Sequence, residues 1–131
     1  IALYEQMMVK QPQSDVLANN LAVLLAEDST DQTRLDRALE LAQRFEQSDS
    51  PVFLDTLGWI HYQRGELEKA LPLLERAVSA TPNVPTFHFH LGMAYKKSGN
   101  VEEARKQLQA ALDAEVEFPE QEQAQAALGL L

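Results

Sequence analysis

The chain has 131 residues, 45% of them hydrophobic, which is enough for one domain with a buried core. Its 20 acidic and 11 basic residues give a net charge of −9, which disfavours nucleic acid, because phosphate contacts need clustered Lys and Arg. The absence of cysteine excludes disulfides and zinc–thiolate sites, and no apolar run approaches the roughly 20 residues of a membrane span.

Residues 1–14 are predicted to form the last helix of a preceding repeat, ending at Gln11-Pro12. They open with IALYEQMM, without an initiator Met, so we interpret the sequence as a piece of a longer protein whose upstream part would carry any targeting segment. Four apolar side chains would lack an upstream neighbour, which predicts weak self-association through this end or fraying of the helix. They are Leu3, Tyr4, Met7 and Met8.

Residues 15–50 are predicted to form a degenerate version of the helix pair that follows. Leu21-Ala22 stands where the later units have Leu-Gly, and Ala38 stands where the next unit has Ala70. The connection between the two helices, AEDSTDQTRLDR, is about four residues longer than its later counterparts. This unit is therefore expected to keep the helix pair and to differ in its connection.

Residues 51–84 are predicted to form a regular helix pair. Ser50 is a favourable N-cap and Pro51 suits the first helical position, so the first helix is expected to begin here. Gly65 is expected to end it in the left-handed conformation that glycine adopts at little cost. The second helix carries an apolar stripe at helical spacing and ends at Pro82.

Residues 85–118 repeat this plan at an interval of 34 residues. Pro85 opens the first helix, Gly99 makes the turn, and Asn100 can cap the second helix. The recurring landmarks are Leu57-Gly58, Gly65, Ala70 and Ala77, which return as Leu91-Gly92, Gly99, Ala104 and Ala111.

Residues 119–131, PEQEQAQAALGLL, begin with a proline suited to a helix N-terminus and are predicted to form a capping helix. The end of a repeat array needs a polar outer face, so the apolar side chains should turn inward. The inward set is Ala124, Ala127, Leu128 and Leu131, and the water-facing set is Glu120, Gln121 and Gln125.

The recurring residues indicate a role in folding. A single helix pair cannot bury its apolar face, so it must stack on a neighbour. Gly58 and Gly92 are small and allow the paired helices to approach closely. The sequence thus predicts an all-α solenoid of about three helix pairs, preceded by half a pair and followed by a single helix.

This pattern resembles the tetratricopeptide repeat, a 34-residue unit with the signature W-x2-L-G-x2-Y…A-x3-F…P. The resemblance covers nearly the whole chain and implies a right-handed superhelix of helical hairpins. The closing Pro is missing from residues 85–118, where Val116 stands. The matches are Leu54-x2-Leu57-Gly58-x2-His61 with Ala70-x3-Leu74, and His88-x2-Leu91-Gly92-x2-Tyr95 with Ala104-x3-Leu108.

Three strings are also similar to the C-terminal part of the bacterial PEP-CTERM system TPR-repeat lipoproteins: NNLAVLLAE, FLDTLGWIHYQRGELEKALPLLERA and FPEQEQAQAALGLL. Those are long repeat proteins found beside exopolysaccharide export genes in Gram-negative bacteria. The resemblance implies a cell-envelope lipoprotein, in the periplasm or attached to the outer membrane. The lipidated cysteine would lie upstream, and the cytoplasm stays open as the alternative compartment.

No residue pattern indicates an enzyme, a metal site or a cofactor. His88 and His90 lie two positions apart, so on a helix they point about 200° apart and cannot share a metal ion. His61 and His88 occupy positions where the repeat signature has Tyr and Trp, which are packing positions. Carboxylates are abundant, but no two stand out as a catalytic pair, and no glycine-rich phosphate loop occurs.

The resemblance places the first helix of each pair on a concave face, whose residues are the candidate binding groove. Four of them, Trp59, Tyr62, Phe89 and Met93, are more aromatic and apolar than a solvated face requires. The alternative is that a neighbouring helix covers part of this stripe. The lysine–arginine clamp with which chaperone-binding members hold a C-terminal carboxylate is missing. The full set is Asn19, Asn20 and Val23; Val52, Asp55, Thr56, Trp59, Tyr62 and Gln63; and Thr86, Phe89, His90, Met93, Lys96 and Lys97.

Two hypotheses for the function follow. The first is a protein–protein interaction scaffold or adaptor that binds a partner polypeptide in the groove, within an envelope assembly for exopolysaccharide production. Lys96 and Lys97 would then favour a segment with apolar anchors and some acidic character. The alternative is a carbohydrate-binding module of an exopolysaccharide export assembly, with Trp59 and Tyr62 stacking on sugar rings.

Overall fold

The computed structural model describes residues 1–131, and every regular element in it is helical. Eight α-helices follow one another, and a short 3-10 helix, Gln43–Phe45, continues from the third. No β-strand is present, so the predicted all-α fold is confirmed. The α-helices are α1 (Ala2–Lys10), α2 (Asp15–Leu25), α3 (Gln32–Ala42), α4 (Pro51–Gln63), α5 (Leu67–Ala80), α6 (Pro85–Ser98), α7 (Val101–Leu112) and α8 (Gln121–Gly129).

The helices form a stack of pairs. Helix α2 packs on α3, α4 on α5 and α6 on α7, and contacts of α3 with α4 and of α5 with α6 join successive pairs. Helix α1 packs on α2, and α8 packs on α7. The first helices of the pairs also touch one another, α2 with α4 and α4 with α6, and therefore form one continuous face.

Local chemistry explains where the helices begin and end. The hydroxyl of Ser50 accepts a hydrogen bond at 3.4 Å from a backbone N–H in the first turn of α4. Gly65 (φ 81°) and Gly99 (φ 89°) are left-handed, and Gly99 ends α6. The side chain of Asn100 caps α7 by accepting a backbone N–H at 3.3 Å. All four roles were predicted from the sequence and are confirmed.

The glycine of the Leu-Gly landmark lies in tight contact with the second helix of its pair. A Cβ atom added to Gly58 would lie 2.8 Å from Leu74 Cγ, and one added to Gly92 would lie 2.8 Å from Leu108 Cγ. Real Cβ atoms essentially never come so near a carbon atom, so the leucine occupies the space that glycine leaves open. Glycine at these positions is thus required by packing, as predicted.

The buried core consists of clusters that follow one another along the stack. One cluster of buried side chains extends from Met8 in α1 to Phe87 in α6. Within it the ring of Phe45 stacks on that of Phe53, with centroids 4.4 Å apart, and so joins the 3-10 helix to α4. A second cluster holds Phe89 together with residues of α7 and α8.

The C-terminal helix α8 packs its small residues inward. Ala124 and Ala127 are buried in the cluster that includes Leu108 of α7, with Leu128 and Leu131 half-buried beside them. This agrees with the predicted inward set, and Gln125 is exposed as predicted. Two residues differ: Gln121 is half-buried, and Glu120 accepts a hydrogen bond instead of facing only water.

At the other end, α1 is tied to α3 by an ion pair between Glu5 and Arg37, with 2.7 Å between their nearest atoms. Met8 is buried and Tyr4 is half-buried, whereas Leu3 and Met7 are exposed. Self-association through this end therefore stays a prediction. None of the helices combines the length and the apolar character that crossing a bilayer requires.

Candidate binding groove

Three neighbouring helices, α2, α4 and α6, line a cavity of about 750 Å³. The lining residues come from α4, from α2 and the segment after it, and from the first half of α6. The start of α8 and the residues before it close one side. We call this cavity the groove.

The floor of the groove contains a buried pair of ionisable side chains, Asp55 of α4 and His90 of α6. The ring Nδ1 of His90 lies 2.9 Å and 2.8 Å from the two carboxylate oxygens of Asp55. Asp55 is 6% exposed and His90 is 7% exposed. Because a buried polar group must be hydrogen-bonded, this pair explains how two polar residues are tolerated at the contact between α4 and α6.

An aromatic stack stands beside that pair. The indole of Trp59 lies 3.9 Å from the His90 ring and 4.5 Å from the Tyr62 ring, measured between centroids, and both neighbours are nearly parallel to it. Two such rings cannot occupy the same face of the indole without overlapping, so they cover opposite faces. Phe89 contacts the stack at a tilt, 5.9 Å from Trp59. Burial also raises the pKa of Tyr62.

Two acceptor oxygens in the groove lining have no hydrogen-bond donor: Asn19 Oδ1 and Gln63 Oε1. Asn19 is 8% exposed. The amide nitrogen of Gln63 donates to the carbonyl of Ala26 at 2.7 Å, which fixes the orientation of that side chain. Buried polar atoms without partners are rare because they cost free energy, so their presence in a groove is informative.

The groove lining is acidic. It contains Glu27, Asp55 and Glu120, and it contains no Lys or Arg. Glu120 accepts a hydrogen bond from the hydroxyl of Thr86 at 3.0 Å, which attaches the start of α8 to α6. The only other ionisable side chain in the lining is His90, which is paired with Asp55.

Most residues of the sequence-predicted groove lie together in this lining. Five do not line the cavity. Tyr62 stacks on Trp59, and Met93 packs beside Phe89. The other three, Asn20, Lys96 and Lys97, also lie outside the lining. Those that line the cavity are Asn19, Val23, Val52, Asp55, Thr56, Trp59, Gln63, Thr86, Phe89 and His90.

Sequence reasoning missed two parts of the wall that lie outside α4 and α6. The first follows α2 and contains Ala26, Glu27 and Ser29, and the second precedes or begins α8 and contains Pro119, Glu120 and Gln123. The longer connection after α2 was visible in the sequence and could have suggested the first part. No local sequence feature indicates the second part, because the pattern of α8 predicts only a helix that covers the end of the stack.

The other two histidines have structural partners outside the groove. The buried ring of His61 bonds Glu66 at 3.0 Å, and His88 lies 2.7 Å from both Gln107 Oε1 and the Pro82 carbonyl. No group of three or more His, Cys, Asp or Glu side chains is arranged to hold a metal ion. A smaller cavity of about 340 Å³ beside His61 has a mainly polar lining without aromatic side chains other than that imidazole.

Comparison with family profiles identifies the family of this chain. Tetratricopeptide repeat profiles match residues 61–128 and residues 23–85, so the chain belongs to the tetratricopeptide repeat family, as predicted. Members of this family generally serve as non-enzymatic scaffolds for protein–protein interaction. No curated protein matches the chain significantly.

Several solved structures share the fold. The TPR protein TTC0263 of Thermus thermophilus is 23% identical, with a TM-score of 0.78 over 98% of this chain and 71% of that chain. A crystal structure of MamA is 19% identical, with a TM-score of 0.73 over 97% of this chain and 71% of that one. The first TPR of Spaghetti (RPAP3), bound to the HSP90 peptide SRMEEVD, is 18% identical, with a TM-score of 0.62 over 86% and 94%. At these identities the likeness shows the fold alone.

Proposed function

We propose that the chain is a non-enzymatic interaction module that binds a segment of a partner polypeptide in the groove. The observation that carries this proposal is the groove itself, a preformed cavity of about 750 Å³ with aromatic, aliphatic and unpaired polar groups side by side. Sites that recognise ligands combine apolar walls with a few placed polar groups in this way.

The shape of the groove supports a polypeptide as the ligand. Its lining spans α2, α4 and α6 and reaches α8, so it crosses several helices. A helical or extended segment can lie across such a surface and place its side chains between the helices. The exposed side chains Val23 and Val52 provide aliphatic contact area at its rim.

The surroundings of the Asp55–His90 pair support a non-enzymatic role. A nucleophile activated by such a pair would need its hydroxyl or thiol within hydrogen-bond distance of the imidazole. The His90 ring bonds only Asp55, and the nearby Thr56 hydroxyl donates to the Val52 carbonyl at 3.0 Å. The pair therefore joins α4 to α6.

Panning of a phage-displayed random peptide library on the immobilised chain tests this proposal. Selected peptides should compete with one another, and Val52→Trp should weaken them about tenfold or more, because the added ring fills the groove. Val101→Trp is the matched control, since Val52 is 51% exposed and Val101 is 43% exposed but lies outside the groove. Failure to select any peptide sensitive to Val52→Trp would contradict the proposal.

We further propose that the partner belongs to an envelope assembly of a PEP-CTERM exopolysaccharide system, where this chain is held in the periplasm or at the outer membrane. The support is the similarity of three sequence strings to lipoproteins of that system. Fractionation of the full-length protein from its source, with mass spectrometry of its N-terminus, tests the idea. A full-length protein that is cytosolic and carries no lipid would contradict it.

The carbohydrate-binding alternative receives no support from the groove. A sugar ring stacks on an aromatic face that is free, and both faces of Trp59 are covered, by Tyr62 and by His90. We therefore retain the polypeptide partner.

A further inference from the structure

The carboxylates of the groove come from distant parts of the chain. Glu27 follows α2, Asp55 lies in α4, and Glu120 precedes α8, yet all three contribute to one lining that holds no Lys or Arg. The carboxylate of Asp55 is hydrogen-bonded to His90, whereas Glu27 is exposed and forms no ion pair. The lining therefore carries acidic side chains whose negative potential no Lys or Arg of the lining offsets.

The unpaired polar atoms have the same character. Asn19 Oδ1 and Gln63 Oε1 are both acceptors, and the amide of Gln63 cannot turn around without losing its bond to the Ala26 carbonyl. With the carboxylates, they give the groove several acceptor oxygens, two of which no donor of the protein satisfies. A ligand that brings N–H donors and positive charge would satisfy them, because charge-assisted hydrogen bonds to carboxylates are the stronger kind.

The basic residues expected to favour an acidic partner lie elsewhere. Lys96 and Lys97 follow His90 along α6 but are outside the cavity, and Lys97 Nζ lies 5.2 Å from the centroid of the Tyr62 ring. This cation–π contact holds Lys97 on the far side of the aromatic stack. The two lysines on which the sequence-based expectation of an acidic partner rests therefore do not line the groove.

We infer that the groove takes a basic polypeptide segment, which places Lys or Arg side chains near Glu27 and Glu120 and an apolar side chain against Val23 and Val52. This inference rests on the proposed function, because it names the chemistry of the partner at the same site. Recognition uses charge complementarity between donors of the partner and acceptors of the groove. The guanidinium of Arg, with its fork of donors, fits paired acceptors best.

Two synthetic heptapeptide sets provide the test. Each has a central Leu or Phe, and the flanking positions carry Lys and Arg in one set and Asp and Glu in the other. Affinity is measured by fluorescence anisotropy at low and at physiological ionic strength. The basic set should bind about tenfold or more tightly than the acidic set, and its affinity should fall as salt rises.

The double variant Glu27→Gln with Glu120→Gln keeps the shape of the groove and removes two charges. It should weaken the basic set about tenfold, whereas Glu68→Gln with Glu122→Gln should change the affinity less than about twofold. Glu68 and Glu122 are exposed glutamates that do not line the groove, so this control has the same net charge as the test variant. Both double variants should bind alike if the basic peptides only follow the overall charge, and that result would overturn the inference.

The remaining outcomes separate this inference from the proposed function. Binding of the acidic set, or of uncharged peptides, that Val52→Trp abolishes would overturn the basic partner and leave the peptide-binding groove intact. Absence of any peptide binding sensitive to Val52→Trp would overturn both.

Discussion

At the scale of single residues, the contact of a glycine with a leucine sets the distance between paired helices. The equivalent positions in the first pair are Ala22 and Ala42, and both are completely buried. In α4–α5 the small Gly58 is thus combined with the larger Leu74. In α2–α3 two alanines, intermediate in size, stand at the equivalent positions. The degenerate unit keeps the packing although it loses the Leu-Gly landmark.

The tight contact predicts strong coupling between Gly58 and Leu74. Gly58→Ala should destabilise by about 1–3 kcal/mol through overpacking, and Leu74→Ala by about 2–5 kcal/mol through a cavity. In the double variant the new methyl group enters the cavity, so the combined loss should be smaller than the sum. Urea unfolding of all four proteins measures this. Gly129→Ala, which meets no atom within 4 Å, is the neutral control, and simple additivity would refute the contact.

Trp59 is predicted to contribute to folding as well as to binding. Its indole is packed between Tyr62 and His90, so Trp59→Ala should lower the free energy of unfolding by about 2–3 kcal/mol, the low end for buried aromatic side chains. Val52→Ala, at an exposed position in the same groove, should change it by less than about 0.5 kcal/mol. An unchanged melting temperature for Trp59→Ala would show that the stack adds no stability.

Replacement of Asn19 is predicted to raise the stability of the protein, whereas replacement of Trp59 lowers it. Asn19→Leu has a similar shape and removes the buried acceptor that lacks a donor, so the protein should gain about 1 kcal/mol of stability. Peptide binding in the groove should weaken at the same time. Asn20→Leu is the neighbouring control, since Asn20 does not line the groove. A stability loss in Asn19→Leu with unchanged binding would make Asn19 a structural residue only.

At the scale of helices, one chain of polar contacts joins α3, α4 and the start of α5. Glu66 accepts from His61 Nδ1 at 3.0 Å and from Arg64 Nε at 2.9 Å, and Arg64 also pairs with Asp36. The hydrogen bond from His61, followed by the contact with Arg64, holds the pKa of Glu66 below its ordinary value. The contacts add to the packing between successive pairs.

The lowered pKa of Glu66 predicts a loss of stability in acid. Since the folded-state pKa lies below that of the unfolded chain, the contribution is complete above the ordinary glutamate pKa. It is lost as the pH falls through the folded-state pKa. Thermal melting across this range should show a smaller acid-dependent decline in Glu66→Gln than in the native chain. Glu68→Gln, at an exposed site on α5, should keep the native decline, and identical curves for both variants would contradict the role of Glu66.

At the scale of the whole molecule, each helix pair is stabilised by packing against the next pair in the stack. The core cluster from α1 to α6 includes Phe87, and the cluster of α6, α7 and α8 includes Phe89 two positions further along α6. Each element contacts mainly its neighbours in the stack, as is typical of repeat proteins. The net charge of −9 attracts or repels every charged partner at long range, so discrimination between partners must come from contacts in the groove.

Removal of residues 119–131 should therefore act on the C-terminal part first. The deletion exposes Leu108 and Ala111 and breaks the bond from Thr86 to Glu120, so the melting temperature should fall. Hydrogen exchange should show a loss of protection in α6 and α7, with α2 and α3 little changed. Equal loss of protection in every helix would mean that the stack unfolds as a single unit.

The sequence by itself determined the local structure and the repeat. Ser50, Gly65, Gly99 and Asn100 act on their own helix ends, and the 34-residue recurrence of Leu-Gly reflects a contact within one pair. Such features depend on residues close in the chain or on a period that repeats, so they can be recognised in a single sequence. The assignment of groove residues to the first helix of each pair came from the resemblance to the tetratricopeptide repeat.

Only the tertiary structure decided the character of the groove. Its acidic sign depends on Glu27 and Glu120, which arrive from segments outside the first helices, and on Lys97 being held away by Tyr62. His90 bonds an aspartate 35 residues away, and Thr86 bonds a glutamate 34 residues away. Contacts over such distances depend on how successive pairs rotate against each other and on where α8 lies. Neither helix propensity nor periodicity contains that information, because each describes a helix pair without its neighbours.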